Sequence, residues 1–283
     1  MPGTLFVVST PIGNLEDITL RAVRVLGEVD LIACEDTRHT RKLLNHYGIK
    51  NRTISYHEHN ERERAAELVA LLQEGSNIAL VTDAGTPGIS DPGFRLVQLA
   101  THAGLPVSSV PGPTAFVAAL AASGLPGDEF LFAGFLPSRS SARRARLTRL
   151  AAFPATLIFY EAPHRIAQTL KDMSDVLGAR SAVVARELTK IHEEVVRGTL
   201  SELAAHFSAA KAARGEMVII VDRNPVGGQG VIEAAPESLA SLVAGFEKQG
   251  LDSRAALKQA AKRLGMSRDE AYRRLVAERK SPR

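Results

Sequence analysis

Residues 78–93 read Ile-Ala-Leu-Val-Thr-Asp-Ala-Gly-Thr-Pro-Gly-Ile-Ser-Asp-Pro-Gly. Ile78 to Val81 form a short apolar run of the length of a buried strand. The character then flips, and Asp83, Gly85, Thr86, Pro87, Gly88, Ser90, Asp91, Pro92 and Gly93 fall within eleven positions. Residues of this kind hold unusual backbone angles or bond their own main chain. A mere connection needs only a few residues and has little use for two Pro and three Gly. A stiff, glycine-opened loop at the carboxyl end of a parallel strand is where α/β proteins bind ligands. The loop therefore predicts both an α/β fold and a small-molecule site.

Outward from this loop, apolar runs and helical patterns alternate. Strands are expected at Leu5–Ser9, Val29–Cys34, Thr53–Tyr56, Ile78–Val81 and Pro106–Val110, with helices at 17–27, from after Arg38 to His46, and at 61–74, 94–102 and 115–122. Repeated strand–helix units predict a parallel sheet with helices on both faces. The second half is a mixed α/β region, with strands at 130–135, 155–160, 181–186, 193–198 and 216–221. The pair 181–186 and 193–198 reads as antiparallel. Residues 1–116 and 117–223 are expected to form two α/β domains, joined through a Gly- and Pro-rich linker (224–236) to a basic helical domain at 237–283. In that last region Ser253 and Ser267 read as N-caps, and Gly265 sits in the turn of a helix-turn-helix-like pattern, although a plain helical hairpin would read the same.

Composition narrows the function classes. The 283 residues are 45% apolar and 23% charged, the balance of a soluble globular protein. Cys34 is the single cysteine, which excludes a disulfide framework and a cysteine-built metal site. With no basic leader or cleavage signature at its start, the sequence reads as cytoplasmic. No apolar stretch approaches the roughly 18 residues of a membrane span. Trp is absent and aromatics are 5%, which argues against a base-stacking platform. The net charge of +4 is uneven: residues 237–283 hold eleven Lys or Arg against six Asp or Glu, and the rest of the chain is near neutral. A basic appendage on a neutral body suits a polyanionic partner, or else a solvated helical tail.

Several chemistries are excluded by missing motifs. There is no Gly-x-Gly-x-x-Gly after the first strand, no P-loop, no His-Glu-x-x-His, no Cys-x-x-Cys and no Gly-x-Ser-x-Gly. His57 and His59 flank Glu58, but two ligands are too few for a catalytic zinc site. What remains is a set of stiff strand-end loops at 10–14, 34–38, 83–93, 111–115, 161–165 and 186–190, which a parallel sheet would gather on one side as a cleft.

Six motifs carry a resemblance. They are Ser9-Thr-Pro-Ile-Gly-Asn-Leu-Glu-Asp-Ile18, Cys34-Glu-Asp-Thr-Arg38, Asp83-Ala-Gly-Thr-Pro-Gly-Ile-Ser-Asp-Pro-Gly93, Pro111-Gly-Pro-Thr-Ala115, Tyr160-Glu-Ala-Pro-His-Arg165 and Arg186-Glu-Leu-Thr-Lys190. Together, in this order from residue 4 to about 223, they resemble the tetrapyrrole methylase superfamily, and within it the bacterial enzymes that methylate small-subunit ribosomal RNA. The resemblance implies the tetrapyrrole methylase-like α/β fold with a cofactor cleft between two domains. It also implies S-adenosylmethionine as methyl donor, the 2′-hydroxyl of cytidine 1402 in 16S rRNA as acceptor, and a homodimer. A small-molecule tetrapyrrole methyltransferase of the same superfamily and a non-catalytic RNA-binding assembly factor are the rival readings.

On this footing, Asp83, Ala84, Gly85, Ile89, Ser90, Pro111, Thr114 and Ala115 are the cofactor-binding candidates, with Pro11 and Gly13 walling the same cleft. Leu136, Glu187 and the strand end Glu216–Met217 are expected to join from the second half. Methyl transfer is an in-line displacement that rests on holding oxygen and methyl about 3–3.5 Å apart, helped by a base for the weakly acidic hydroxyl. Glu35, Asp36, Glu161, His164, Glu187 and Lys190 are the catalytic candidates. Each carboxylate could instead be ion-paired, as Glu35 with Arg38 or Glu187 with Arg186. Arg38, Arg165 and Arg186 could hold phosphate. Arg139, Arg143, Arg144, Arg146 and Arg149 could form a phosphate-binding rim or a solvated helix face, with Arg139, Arg143 and Arg146 on one side.

Overall fold

The computed structural model describes residues 1–209, 215–223, 243, 246–247, 252–263, 266–267, 270–271, 273 and 275. The chain divides into two compact units, Met1–Val226 and Gly227–Arg283.

The first unit opens with β1 (Leu5–Val8), α1 (Leu20–Glu28), β2 (Leu31–Cys34), α2 (Thr37–His46), β3 (Thr53–Ser55), α3 (Glu61–Gln73), β4 (Ile78–Val81), α4 (Phe94–His102) and β5 (Val107–Val110). The five strands form one sheet in the order β3-β2-β4-β1-β5, and every pairing is parallel. Alternation along the strands sorts the side chains onto two faces. Leu5, Ala33, Ile78 and Leu80 pack with Ala65, Leu68 and Leu72 of α3 and with Leu96 and Ala100 of α4. Val8, Ile32, Ala79 and Val81 pack with Ala22, Val25 and Leu26 of α1 and Leu44 of α2. Each buried Leu, Ile or Val among these contributes about 1.5–3 kcal/mol. The expected parallel sheet with helices on both faces is therefore present.

The first helix starts later than its pattern suggested. Asn14 caps a 3-10 turn at Leu15–Asp17, and α1 begins only at Leu20, where the Thr19 hydroxyl accepts the Ala22 N–H at 3.1 Å. Asp17 therefore lies in the lead-in and not at the helix start.

The second half continues with α5 (Ala115–Ser123), β6 (Phe130–Phe135), α6 (Ser140–Leu150), β7 (Thr156–Glu161), α7 (Ile166–Leu177), β8 (Ser181–Arg186), β9 (Glu194–Thr199), α8 (Leu200–Ala209) and β10 (Met217–Val221). Its sheet runs β6-β7-β10-β8-β9; only β6 and β7 are parallel, and β8 and β9 form the expected antiparallel pair. Leu157, Phe159, Met217 and Ile219 face α6, α7 and α8, while Ile158, Val183, Val218 and Ile220 face Ala119 of α5. Helix α5 thus packs on the second sheet. The chain crosses between the sheets at Pro111–Thr114, so a boundary after residue 116 falls inside α5.

In the second unit, α9 (Ser253–Arg263) has a small core of Ala256, Leu257, Ala260 and Ala261 with Ala271 and Leu275. Asp252, not Ser253, caps this helix, its carboxylate accepting the N–H groups of Arg254 and Ala255 at 2.9 and 2.8 Å. Ser267 does act as a cap, accepting the Glu270 N–H at 3.3 Å. The linker 224–236 lies outside the described residues, as do most of 239–248 and 276–280.

Candidate active site

The first sheet has a switch point between β1 and β4. The helices that follow these two neighbouring strands leave toward opposite faces of the sheet, so the loops after them part and leave a crevice at their carboxyl ends. Those two loops are clamped together. Thr10 and Gly85 exchange both backbone hydrogen bonds, at 2.9 and 3.0 Å. Gly85 has φ +88°, and a Cβ there would stand 3.6 Å from Ile12 and 3.9 Å from the Pro113 carbonyl. A hydroxyl chain extends the clamp. Ser9 Oγ lies 2.9 Å from Thr86 Oγ1, which lies 2.8 Å from Thr114 Oγ1 at the start of α5.

Above this crevice sits a cavity of about 260 Å3, lined from both sheets. Of the expected residues it gathers Glu35, Asp83, Ala84, Gly85, Ile89, Ser90, Thr114 and Ala115 from the first half, and Glu187, Lys190, Glu216 and Met217 from the second. The backbone is strained here. Ser90, Glu187 and Thr189 are the three non-glycine residues with positive φ among the described residues, at 62°, 52° and 66°. Such conformations cost about 1–3 kcal/mol each and concentrate at ligand sites. Gly13 does not line the cavity but closes its rim. A Cβ on it would fall 2.7 Å from Lys190 Cγ and 2.9 Å from the Leu188 carbonyl. Pro11, in the loop after β1, and Pro111, in the loop after β5, do not line the cavity, and Leu136 is buried in the second core at 3% exposure.

Several expected side chains are committed elsewhere. Glu161 is fully buried; it takes the Thr169 hydroxyl at 2.6 Å and pairs with Arg165 at 3.2 Å. Arg165 also donates to the Leu136 carbonyl at 2.7 Å. Neither group is free to act on a substrate, so both expectations are corrected. Asp36 caps α2 by accepting the Arg38 N–H at 2.8 Å, and its hydrogen bonds from Arg38 hold its carboxyl below the usual range, which leaves it a poor base. His164 is exposed and away from the cavity. Glu187 pairs with Lys190 at 2.8 Å rather than with Arg186, which pairs with Glu194. On α6, Arg143 is only 2% exposed and pairs with Asp172 at 2.7 Å, which removes it from any phosphate rim. Arg144 pairs with Asp175 at 2.7 Å. Arg139, Arg146 and Arg149 make no ion pair among the described residues, and Arg38 extends into solvent with a side chain 89% exposed.

The cavity also contains residues that had no place among the candidates: Ile12, Thr86, Asp91, Phe135, Tyr160, Leu188 and Val218. Asp91 matters most. It is half-buried, and its carboxylate makes no hydrogen bond or ion pair among the described residues. Burial, reinforced by the charges of Glu35, Glu216 and Asp83, pushes its pKa up to about 7. Glu35 is raised as well, by burial first and then by Asp83. Tyr160 packs edge-on against Phe132 at 5.0 Å, and burial lifts its hydroxyl to about 12, so it stays protonated. The cavity is thus rich in carboxylates with Lys190 as its cation, an electrostatic setting that favours a positively charged ligand. The described residues contain no group of three or more His, Cys, Asp or Glu able to hold a metal ion, and His57 and His59 meet only edge to face, 5.9 Å apart.

Comparison with known proteins places this architecture. The family model for tetrapyrrole (corrin/porphyrin) methylases matches residues 4–204. The chain is 49% identical over 276 residues to the ribosomal RNA small subunit methyltransferase I of Mesorhizobium japonicum, covering 96% of this chain and 91% of that protein. It is 53% identical over 222 residues to the protein of the same name from Escherichia coli O157:H7, covering 78% of each. A uroporphyrin-III C-methyltransferase from Thermus thermophilus, solved with S-adenosylhomocysteine, superposes with a TM-score of 0.55 at 21% identity, over 77% of this chain and 97% of that one. That likeness speaks for the fold, and the sequence matches speak for the lineage: the chain belongs to the tetrapyrrole methylase family, in the group of the ribosomal RNA small subunit methyltransferases I.

Proposed function

We propose that the chain transfers a methyl group from S-adenosylmethionine to small-subunit ribosomal RNA, and that the acceptor is the ribose 2′-hydroxyl of a 16S rRNA cytidine. The observation that carries this reading is the joint cavity. The loops after β1 and β4 meet the loop after β8 around one space, in a chain 49% identical to a small-subunit rRNA methyltransferase.

The fit to the donor rests on two features. Gly85 at φ +88° keeps the cavity wall free of a side chain beside the strained Ser90, and the carboxylates around them complement a sulfonium. Asp83, Ala84, Gly85, Ile89, Ser90, Thr114, Ala115 and Met217 would hold it. When bound, S-adenosylmethionine supplies a methyl carbon already activated by positive sulfur. The chain then has to place a hydroxyl in line and accept its proton. Asp91 is the group we assign to the proton, because it faces the cavity without a partner and titrates near neutrality. Glu187, tied to Lys190, and the half-buried Glu35 shape the field around it. Two α/β domains bracketing the cleft, a homodimer, action in the cytoplasm and a basic tail that engages RNA complete the reading. The homodimer follows the family resemblance.

A tetrapyrrole acceptor is the rival within the family. The protein is supplied with labelled S-adenosylmethionine together with uroporphyrinogen III and with small ribosomal subunits lacking their methyl groups. Label in the RNA fraction alone supports the proposal. Label in the tetrapyrrole fraction refutes it.

A further inference from the structure

Helix α2 reads Thr-Arg-His-Thr-Arg-Lys-Leu-Leu-Asn-His and contains no acid. Its buried side is Thr40, Leu43 and Leu44. Its outer side exposes Arg38, His39, Arg41, Lys42 and His46. The chain then turns at Gly48, with φ +67°, and adds the exposed Lys50 and Arg52. Arg41, Lys50 and Arg52 converge on one surface concavity of about 480 Å3, together with Asn45 and Asn51. One acid, Asp30, lies at its edge and accepts the Asn77 N–H at 2.7 Å, so the concavity holds three cations against one carboxylate.

Ion pairing is sparse on this face, where Arg38 is tied to Asp36 at 3.2 Å and the other cations pair with no acid among the described residues. Elsewhere on the first half, Arg24 pairs with Glu28, Arg64 with Glu67 and Arg95 with Glu61. Among the described residues the side chains of Arg41, Lys42, Lys50 and Arg52 form no ion pair and no hydrogen bond. Clustered like charges repel one another, so such a cluster is relieved by a polyanion. Its position gives it a direction. Glu35 lines the cavity, Asp36 caps α2, and the Asp36 N–H is bonded to the Asp83 carboxylate at 3.1 Å. A ten-residue helix spans about 15 Å. The cations thus run from the rim of the cavity to the concavity roughly that far away.

We infer that the basic face of α2, with Lys50 and Arg52, is the track along which the RNA backbone reaches the cavity, and that Arg41, Lys50 and Arg52 seat a phosphate in the concavity. Two guanidinium groups and an ammonium around one concave surface suit a phosphate oxygen cluster, since Arg forks bind phosphate bidentately. This rests on the rRNA reading above. The α6 arginines are the competing surface, but two of their five are spent on Asp172 and Asp175.

The test compares the full chain with two variants, Arg41→Ala/Lys50→Ala/Arg52→Ala and Arg139→Ala/Arg146→Ala/Arg149→Ala. Binding of a labelled 16S rRNA fragment is followed over a salt series, and S-adenosylmethionine binding by calorimetry. The first variant should bind the cofactor like the parent and RNA at least ten-fold more weakly at low salt. Its log–log salt slope should be shallower by about 0.7 for each phosphate that is no longer neutralised. Its KM for RNA should rise with kcat kept. Parental RNA affinity and slope in the first variant, or a loss confined to the second, would overturn the inference. If the parent itself fails to bind RNA while still binding cofactor, the rRNA reading fails, and the inference with it.

Discussion

The backbone N–H of Asp36 donates to the carboxylate of Asp83 across 3.1 Å, joining the carboxyl end of β2 to that of β4. Asp83 is therefore a brace between two cavity loops and not simply a turn former bonding its own loop. Asp83→Ala leaves the Asp36 N–H without its partner, at a cost of about 1–3 kcal/mol in stability where water cannot replace it. Asp83→Asn keeps an acceptor oxygen. Thermal melts should show the alanine variant clearly lowered and the asparagine variant near the parent, with cofactor affinity following the same order.

Gly85→Val should abolish S-adenosylmethionine binding with the fold retained. The φ of +88° is hostile to a β-branched residue, and the new side chain would point at Ile12 and Pro113 beside the cavity. Calorimetry and circular dichroism on the same sample separate the two effects. Parental binding would mean the cofactor lies elsewhere.

Gly13→Ala probes the closure between the two halves. The added methyl would sit 2.7 Å from Lys190 Cγ and 2.9 Å from the Leu188 carbonyl, so the rim must open. The expected outcome is a cofactor affinity several-fold weaker with little change in melting temperature.

Asp91 makes activity and binding depend on pH. With its pKa near 7, the carboxylate is largely protonated below neutrality and competent as a base above it. kcat should rise through an inflection near pH 7 in the parent. Asp91→Asn should lose at least 100-fold in kcat and lose that inflection, while still binding cofactor. The sulfonium favours the ionised form, so S-adenosylmethionine should bind more tightly as pH rises and release a proton near pH 7, seen by calorimetry in buffers of different ionisation enthalpy. The stability consequence has the opposite sign. A carboxyl whose folded pKa is raised stabilises the fold below its unfolded value of 3.8, and this contribution is lost as pH climbs toward 7.

Arg143 separates a structural from an RNA role. Its side chain and that of Asp172 are each 3% exposed. Burial pushes the Asp172 carboxyl up, but hydrogen bonds from Ser140 and Arg143 outweigh it and hold the group below its usual range. Arg143→Ala should destabilise the protein by about 3 kcal/mol, the low end of the cost of breaking a buried pair, because Ser140 and Arg144 still reach Asp172. Denaturant unfolding measures it. Because the Asp172 pKa is lowered, this stability is present above the unfolded value and fades as pH falls through the folded one.

The parts of this molecule that were legible in sequence are those written as periodicity and punctuation. Ile78–Val81 and its Gly- and Pro-rich loop announced a strand-end site, and the cavity lies there. What escaped was written in packing. Arg143 stands with Leu147 and Leu150 at the i, i+4, i+7 spacing of a buried stripe, so the apolar pattern of α6, and not its arginines, said which side faces inward. Glu161 reads as a strand-end acid in sequence, yet Thr169 and Arg165 fold back over it from α7 and its lead-in. Asp91 is followed by Pro92 and passes for a turn residue. Its burial in the cavity, with Glu35 and Glu216 brought close from distant parts of the chain, makes it unusual.

The identity of the acceptor decides the function, and one measurement addresses it. Undermethylated small subunits are incubated with the protein and S-adenosylmethionine carrying an isotopically labelled methyl group. The 16S rRNA is digested to nucleosides and fragments, and the label is located by mass spectrometry. The prediction is a single labelled cytidine with the methyl on its ribose 2′-oxygen. Label on a base, on another nucleoside or on no RNA at all would contradict it.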